Sequence, residues 1–363
     1  MRDSGVFMPA SRAGRLCDVL DNVVSFLQFT RMALVYTAIA DSLCAMLLWS
    51  RQRADAAGHA QLALEPRCVA AMMVVSGCLY AFGMSLNDII DRRRDAQIAP
   101  DRPLPSGRIN ISTAHVICVF MATMATAGGV AYSIWSPSGW RSMLLLVGTG
   151  LLITFYDLAG KYLVGLGLLS LGLIRFFHAS IAAPHLPVLW QPLLLMNHIT
   201  IVSAIAYWWE QKRPLLTRTH WWTVLGGLAG LNGAAVGMFW WRRRLETGGA
   251  LDTMALLSIG RGLIWPLAAA ALFAAWGVLI WKTSGTTREA GKRLIRGGMM
   301  WLIVYDACFV AGYVGWRPAL VVAALLPAAY LSVRVMRWSS RLAVLSHRPA
   351  FRRAAPSGRE SSV

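Results

Sequence analysis

The chain alternates between long apolar blocks and short polar connections. Ten blocks stand out, near residues 31 to 50, 68 to 86, 114 to 134, 142 to 158, 162 to 183, 192 to 209, 221 to 241, 262 to 281, 298 to 314 and 318 to 335. Each is about 17 to 22 residues long, the length at which an α-helix rising about 1.5 Å per residue crosses a hydrocarbon core of roughly 30 Å. A soluble core can contain one or two such runs, but not a series of them separated by polar breaks. The pattern predicts an all-α, polytopic transmembrane bundle of nine or ten helices around a central cavity. Residues 14 to 30 read as a short interfacial helix. Three parts follow: an N-terminal cytoplasmic or interfacial segment over 1–30, a membrane domain over 31–335, and a basic, disordered tail over 336–363.

Composition agrees with this reading. Hydrophobic residues make up 56% of the 363 and charged residues only 14%, against about 25% charged in soluble domains. A net charge of +18 would suggest nucleic acid for a soluble chain, but here the arginines gather in connections and tails, which is membrane topology. No nucleic-acid partner is expected, and no obligate protein partner is inferred. The connection 184 to 191 holds no Lys, Arg, Asp or Glu, whereas 87 to 113 carries Arg92, Arg93, Arg94, Arg102 and Arg108, so the second is expected on the cytoplasmic side. With the N-terminus inside, Lys212, Arg213 and Arg218, and then Lys292, Arg293 and Arg296, fall on that side too. Arg242, Arg243 and Arg244 disagree, unless they snorkel or a neighbouring block does not span. Six cysteines without a CxxC pair suggest neither a disulfide framework nor a zinc site. No removable signal peptide is expected, and the first spanning helix would direct insertion, most simply into a bacterial inner membrane.

The second block ends in SLNDIIDRRRDAQIAPDRPLPSGR. Its Asn87, Asp88, Asp91 and Asp95 form the pattern NDxxDxxxD. At about 100° per residue, the three aspartates fall within roughly 60° of arc on one face of a helix end. Such a face repels itself unless a cation joins it. Mg²⁺ takes oxygen ligands and usually divides them between one or two carboxylates and a substrate phosphate, and the neighbouring arginines offer guanidinium forks for phosphate oxygens. A solvated run of balancing acids and bases is the plain alternative.

NDxxDxxxD followed by RPLPSG resembles the first signature of the UbiA superfamily of intramembrane prenyltransferases. LQFTRMALVYTAIADSL is similar to that family's opening helix, and FYDLAGKYLVGLGLLSLGLIR to its fourth-to-fifth helix region. The resemblance implies that Asn87, Asp88, Asp91 and Asp95 bind Mg²⁺ and diphosphate and that Arg102 helps hold the phosphates, with Pro103, Pro105 and Gly107 as turn-formers. It also implies roles for Tyr156, for Lys161 as a diphosphate contact, and for Arg175 as an inward-facing polar residue, and it places His178 where Asn is expected. Lys161 also reads as a positive anchor at a helix end. Arg175 is harder to explain away, because a guanidinium inside an apolar segment is costly unless it meets a cavity or a partner. Asp41 and Asp306 share that argument more weakly and are left outside the site. Tyr156 and Tyr207 are either cavity aromatics or members of an interfacial belt.

The family usually carries a second acidic motif after the sixth helix. Here the chain reads YWWEQKRPLLTR, leaving Glu210 as the only carboxylate, beside Tyr207, Lys212 and Arg213. Glu210 can act as a lone acidic group while Lys212 or Arg213 supplies part of the missing metal charge, or the basic pair can simply anchor the helix. By resemblance the chain is a Mg²⁺-dependent transferase. It would move a prenyl group from a prenyl diphosphate to an aromatic or other lipophilic acceptor within the lipid bilayer, at the cytoplasmic side, with Asp88, Asp91, Lys161 and Arg175 catalytic. Tyr156, Tyr207, Glu210 and Arg213 would join Asn87 and Arg102 in binding substrate. The alternative is a non-catalytic binder or carrier of prenyl lipids. A transporter would explain the apolar blocks but not the NDxxDxxxD and RPLPSG string.

Overall fold

The computed structural model describes residues 22–58, 64–248 and 252–346. A helix over 22–29 covers part of the expected interfacial segment; the rest of that segment lies outside the described residues. The bundle follows as α1 (Val35–Ala56), α2 (Pro66–Ile98), α3 (Ile111–Trp135), α4 (Trp140–Leu158), α5 (Val164–Ile181), α6 (Trp190–Trp209), α7 (Arg218–Glu246), α8 (Ile264–Thr283), α9 (Thr287–Tyr313), α10 (Trp316–Ala323) and α11 (Leu325–Ser346). No strand occurs among the described residues. Nine helical stretches among them are long and apolar enough to cross a membrane, the last running through α10 and α11 as Trp316–Met336. The protein is an integral, multi-pass membrane protein. Of the basic tail expected from residue 336, the first part continues α11 to Ser346, and 347–363 lies outside the described residues.

Helix ends fall where the side chains can satisfy free backbone donors. Pro66 sits in the first turn of α2, where its missing N–H costs nothing. Asn110 Oδ1 accepts from Thr113 N at 2.7 Å to start α3, and Thr217 and Thr286 accept from His220 N and Glu289 N to start α7 and α9. Short connections then make successive helices antiparallel. One end of the bundle gathers the α2–α3, α4–α5 and α6–α7 connections, and the other gathers the α1–α2, α3–α4 and α5–α6 connections.

Of the ten expected blocks, the first is the exception to the nine apolar stretches. It is α1, more than half buried and packed against α2, α5, α9 and α11. An interior helix in a membrane protein is free to carry polar groups provided they are paired, and α1 does. Asp41, fully buried, accepts from an NH₂ group of Arg175 of α5 at 2.9 Å, and its other oxygen lies 2.6 Å from Arg175 Nε as an ion-pair contact, while the same NH₂ group reaches the Thr37 carbonyl at 2.8 Å. His178 Nδ1 lies 3.3 Å from Asp41 Oδ2. Ser42 and Ser76 join α1 to α2 at 2.6 Å, and Gln191 Nε2 donates to Asp306 at 2.8 Å to join α6 to α9. Glycines permit the closest helix approaches. A Cβ on Gly172 of α5 would come 2.1 Å from Thr200 Oγ1 and 2.7 Å from the Met196 carbonyl of α6.

Arg242 and Arg243 lie at the end of the bundle opposite the acidic motif. They donate to the His185 and Pro187 carbonyls of the charge-free α5–α6 connection, the second bond at 3.3 Å. Backbone groups in a non-helical connection need partners wherever water is scarce. These arginines supply them, and Arg244 stacks over Trp240. The cluster that disagreed with the charge rule is accounted for by backbone satisfaction.

Two outcomes are expected from this packing. Arg175→Leu leaves Asp41 buried without its cation and lowers stability by about 3–5 kcal/mol, while Asp41→Asn/Arg175→Leu recovers a measurable part of it. Gly172→Ala forces α5 from α6 and lowers the unfolding temperature in detergent more than the open-space change Gly226→Ala, whose Cβ meets no neighbour.

Candidate active site

The motif face of α2 runs past the apolar core and ends where four other stretches of chain converge. Asp88 and Asp95 are buried, Asp91 is half-buried, and Arg92, Arg93 and Arg94 are exposed. The cations that join the acids come from elsewhere. Arg31, whose backbone is left-handed (φ 49°) just before α1, donates to Asp88 Oδ1 at 2.7 Å. Arg102 pairs with Asp95 and lies 3.6 Å from Asp88 Oδ1. The turn that carries Arg102 back over α2 is held by Ser106 N to the Arg102 carbonyl and Ile109 N to the Pro103 carbonyl, both 3.0 Å. Gly107 supplies the positive φ of 77° that an L side chain resists.

A second cluster abuts the first. Lys161, in the single turn Gly160–Tyr162 between α4 and α5, donates to Asp91 Oδ1 at 2.7 Å and lies 4.0 Å from Asp157 Oδ1. Asp157, buried at the end of α4, also accepts from Asn87 Nδ2 at 2.8 Å. Asn87 thus keeps its own carbonyl oxygen free of that bond. Four carboxylates and three cations meet at one end of the bundle, drawn from five different stretches of chain. That arrangement binds a polyanion well: Arg31, Arg102 and Lys161 can turn to phosphate oxygens, and the carboxylates they release can take a hard cation.

The remaining expected residues are spread more widely. Arg94, one turn beyond Asp91, lies within electrostatic reach of the Tyr156 and Tyr207 hydroxyls. Tyr207 OH donates to the Pro214 carbonyl at 2.7 Å. Glu210 Oε2 sits 3.4 Å from Lys212 Nζ, with its stem against Gly291 of α9, and Arg213 is exposed. Arg175 is not at the acidic cluster but deeper, in the Asp41 pair already described.

Neither a protein-family model nor a characterised protein sequence matches the chain. Solved structures do. Digeranylgeranylglyceryl phosphate synthase aligns over 81% of this chain and 99% of its own, at 16% identity and a TM-score of 0.53. A UbiA homolog from Archaeoglobus fulgidus, bound to DMAPP and Mg²⁺, aligns over 80% of this chain and 99% of its own, at 13% identity and a TM-score of 0.52. The chain has the UbiA fold.

Nothing in the sequence pattern assigns Arg31 or Asp157 to the site. In the UbiA fold adopted here both complete the acidic cluster. Tyr80 was missed as well. It lies seven residues before Asn87, hence on the same α2 stripe two turns deeper, within electrostatic reach of both Arg31 and Arg175. Its signal was the stripe itself: Tyr80, Asn87 and Asp91 recur at helical spacing.

Among the described residues, no three His, Cys, Asp or Glu side chains converge as a ready metal cage. The donor set still suits Mg²⁺ in the form that ion prefers, one or two carboxylates with phosphate oxygens and water completing the shell. Asp88 and Asp91, with the Asn87 carbonyl, would hold it. Because Arg102 competes for Asp88 and Asp95, Arg102→Ala is expected to tighten Mn²⁺ binding without diphosphate severalfold, read by electron paramagnetic resonance. Unchanged affinity would show that the guanidinium does not occupy the cation's place.

Proposed function

We propose that this protein is a Mg²⁺-dependent intramembrane prenyltransferase that moves a prenyl group from an allylic diphosphate to a lipophilic acceptor. One observation carries the proposal: NDxxDxxxD, Asp157, Arg31, Arg102 and Lys161 form a mixed-charge cluster at one end of a bundle with the UbiA fold. The acceptor class spans aromatic rings and other lipids.

In the proposed reaction the allylic C–O bond breaks with its electron pair leaving on the diphosphate. Mg²⁺ supplies charge neutralisation of that leaving group when bound. Arg31, Arg102 and Lys161 add fixed positive charge where negative charge develops, which is stabilisation specific to the transition state. The acceptor then bonds to the allylic carbon and loses a proton. The bundle interior below the cluster would house the prenyl chain and exclude water that would quench the cation, and the rings of Tyr80 and Tyr156, on the two helices that carry the acids, would stabilise that cation.

The cluster is proposed to face the cytoplasm. Arg92–Arg94, Arg102, Arg108, Lys161, Lys212, Arg213 and Arg218 all lie in connections or helix ends at its end of the bundle, the bias that sets orientation. A carrier of prenyl lipids is the second reading, favoured by the stretch YWWEQKRPLLTR at the end of α6, where Glu210 is the only carboxylate and lies 3.4 Å from Lys212 Nζ.

Protein in nanodiscs, given geranyl diphosphate, Mg²⁺ and a panel of phenolic and lipid acceptors, is expected to release diphosphate, and chelation is expected to stop it. Asp88→Ala, Asp91→Ala and Lys161→Met should each lower the rate roughly 10²- to 10³-fold, the effect of removing one electrostatic stabiliser. Tight binding without release supports the carrier, and undiminished release in all three variants removes the site.

A further inference from the structure

α8 packs on α9 and α7 packs on α5, while α7 and α8 do not pack closely on each other. A cleft of about 330 Å³ is left between them, with α6 as its floor. That volume is at the lower end of the range for small-molecule sites. Leu193, Leu194 and Asn197 of α6, Asn232 of α7, Leu263 and Leu267 line it. Leu267 is 61% exposed, so the cleft opens sideways, toward lipid. Asn197 is seven residues into α6 from Trp190, about 10 Å from the end of the bundle that lies opposite the acidic cluster.

The two asparagines are the polar centre of an otherwise apolar cleft, and their hydrogen bonds can be counted in full. Asn197 Nδ2 donates to the Leu193 carbonyl and to Asn232 Oδ1, both at 2.8 Å. Asn232 Nδ2 donates to the Leu228 carbonyl and to Asn197 Oδ1, again both at 2.8 Å. The helix carbonyls fix which way each amide points, since a flipped amide would set oxygen against oxygen. All four N–H donors are spent. Each Oδ1 accepts one bond and has capacity for a second. Trp190 Nε1, the remaining side-chain donor at the cleft, is spent on the Leu257 carbonyl at 2.8 Å.

The cleft therefore offers an apolar trough and hydrogen-bond acceptors, with no side-chain donor to spare. We infer that it binds a membrane-dissolved alcohol or phenol, whose hydrocarbon chain lies in the trough and whose O–H donates to Asn197 Oδ1 or Asn232 Oδ1. An ether, ketone or ester of the same shape finds no side-chain donor there. Water, the usual partner of a spare lone pair, is scarce at this depth in a bilayer, so a hydroxylated lipid gains a bond that a plain acyl chain does not. This site is separate from the diphosphate cluster and does not rest on the proposed transferase activity.

A diazirine-bearing decanol and its methyl ether test the assignment directly. With the full chain in nanodiscs, the alcohol is expected to label cleft peptides of α6 and α8 roughly three- to tenfold more than the ether, the worth of one hydrogen bond. Asn197→Leu/Asn232→Leu should abolish that preference while leaving ether labelling in place. Leu194→Trp, which fills the trough and leaves the amide pair intact, should lower labelling by both probes. Equal labelling by alcohol and ether in the unaltered protein would overturn the inference, as would a preference that survives both variants.

Discussion

Like charges crowded onto one helix face must be neutralised before a helix can carry them to the edge of a membrane. Three aspartates within roughly 60° of arc on α2 meet that constraint through Arg31, Arg102 and Lys161, each delivered by a different part of the chain. The rest of the bundle can be read as the device that brings those cations in. The RPLPSG turn folds Arg102 back over α2, the break between α4 and α5 holds Lys161 beside Asp157, and the left-handed Arg31 turns the chain into α1. Partial neutralisation is what makes the cluster useful, since each cation can exchange its carboxylate for a phosphate oxygen.

The same constraint operates deeper in the bundle with a different outcome. Asp41 and Arg175 are matched to each other, with the Thr37 carbonyl taking the remaining guanidinium contact. A buried pair of this kind costs much to break and contributes little net stability over an apolar replacement. The pair joins α1 to α5 in the interior, and Arg175 is thereby separated from the acidic cluster.

Much of this was legible in the sequence, for physical reasons. Nine of the expected apolar blocks are helices long and apolar enough to span, because length and hydropathy are local properties, and the first is α1, whose polar residues are paired inside the bundle. The helical spacing of Asp88, Asp91 and Asp95 was visible, because periodicity places residues on a face without any tertiary information. Their partners were legible only in part. The resemblance marks Arg102 and Lys161, but Lys161 and Arg31 sit at helix ends, where a cation is equally well explained as a topological anchor, and only the fold tells the two apart. Asp157 stood alone in an apolar stretch with no pattern to mark it. Arg242 and Arg243 misled in the opposite sense, since the carbonyls they serve belong to a connection more than fifty residues away.

The central claim is that this cluster takes a divalent cation and a diphosphate together, each completing the other's coordination. Titration calorimetry of inorganic pyrophosphate into the protein, with and without Mg²⁺, tests it most directly. The account predicts that Mg²⁺ tightens pyrophosphate binding about tenfold or more, and that pyrophosphate tightens Mg²⁺ binding by the same factor, as linkage requires. Pyrophosphate affinity indifferent to Mg²⁺, or unchanged in Asp88→Asn/Asp91→Asn, would contradict it.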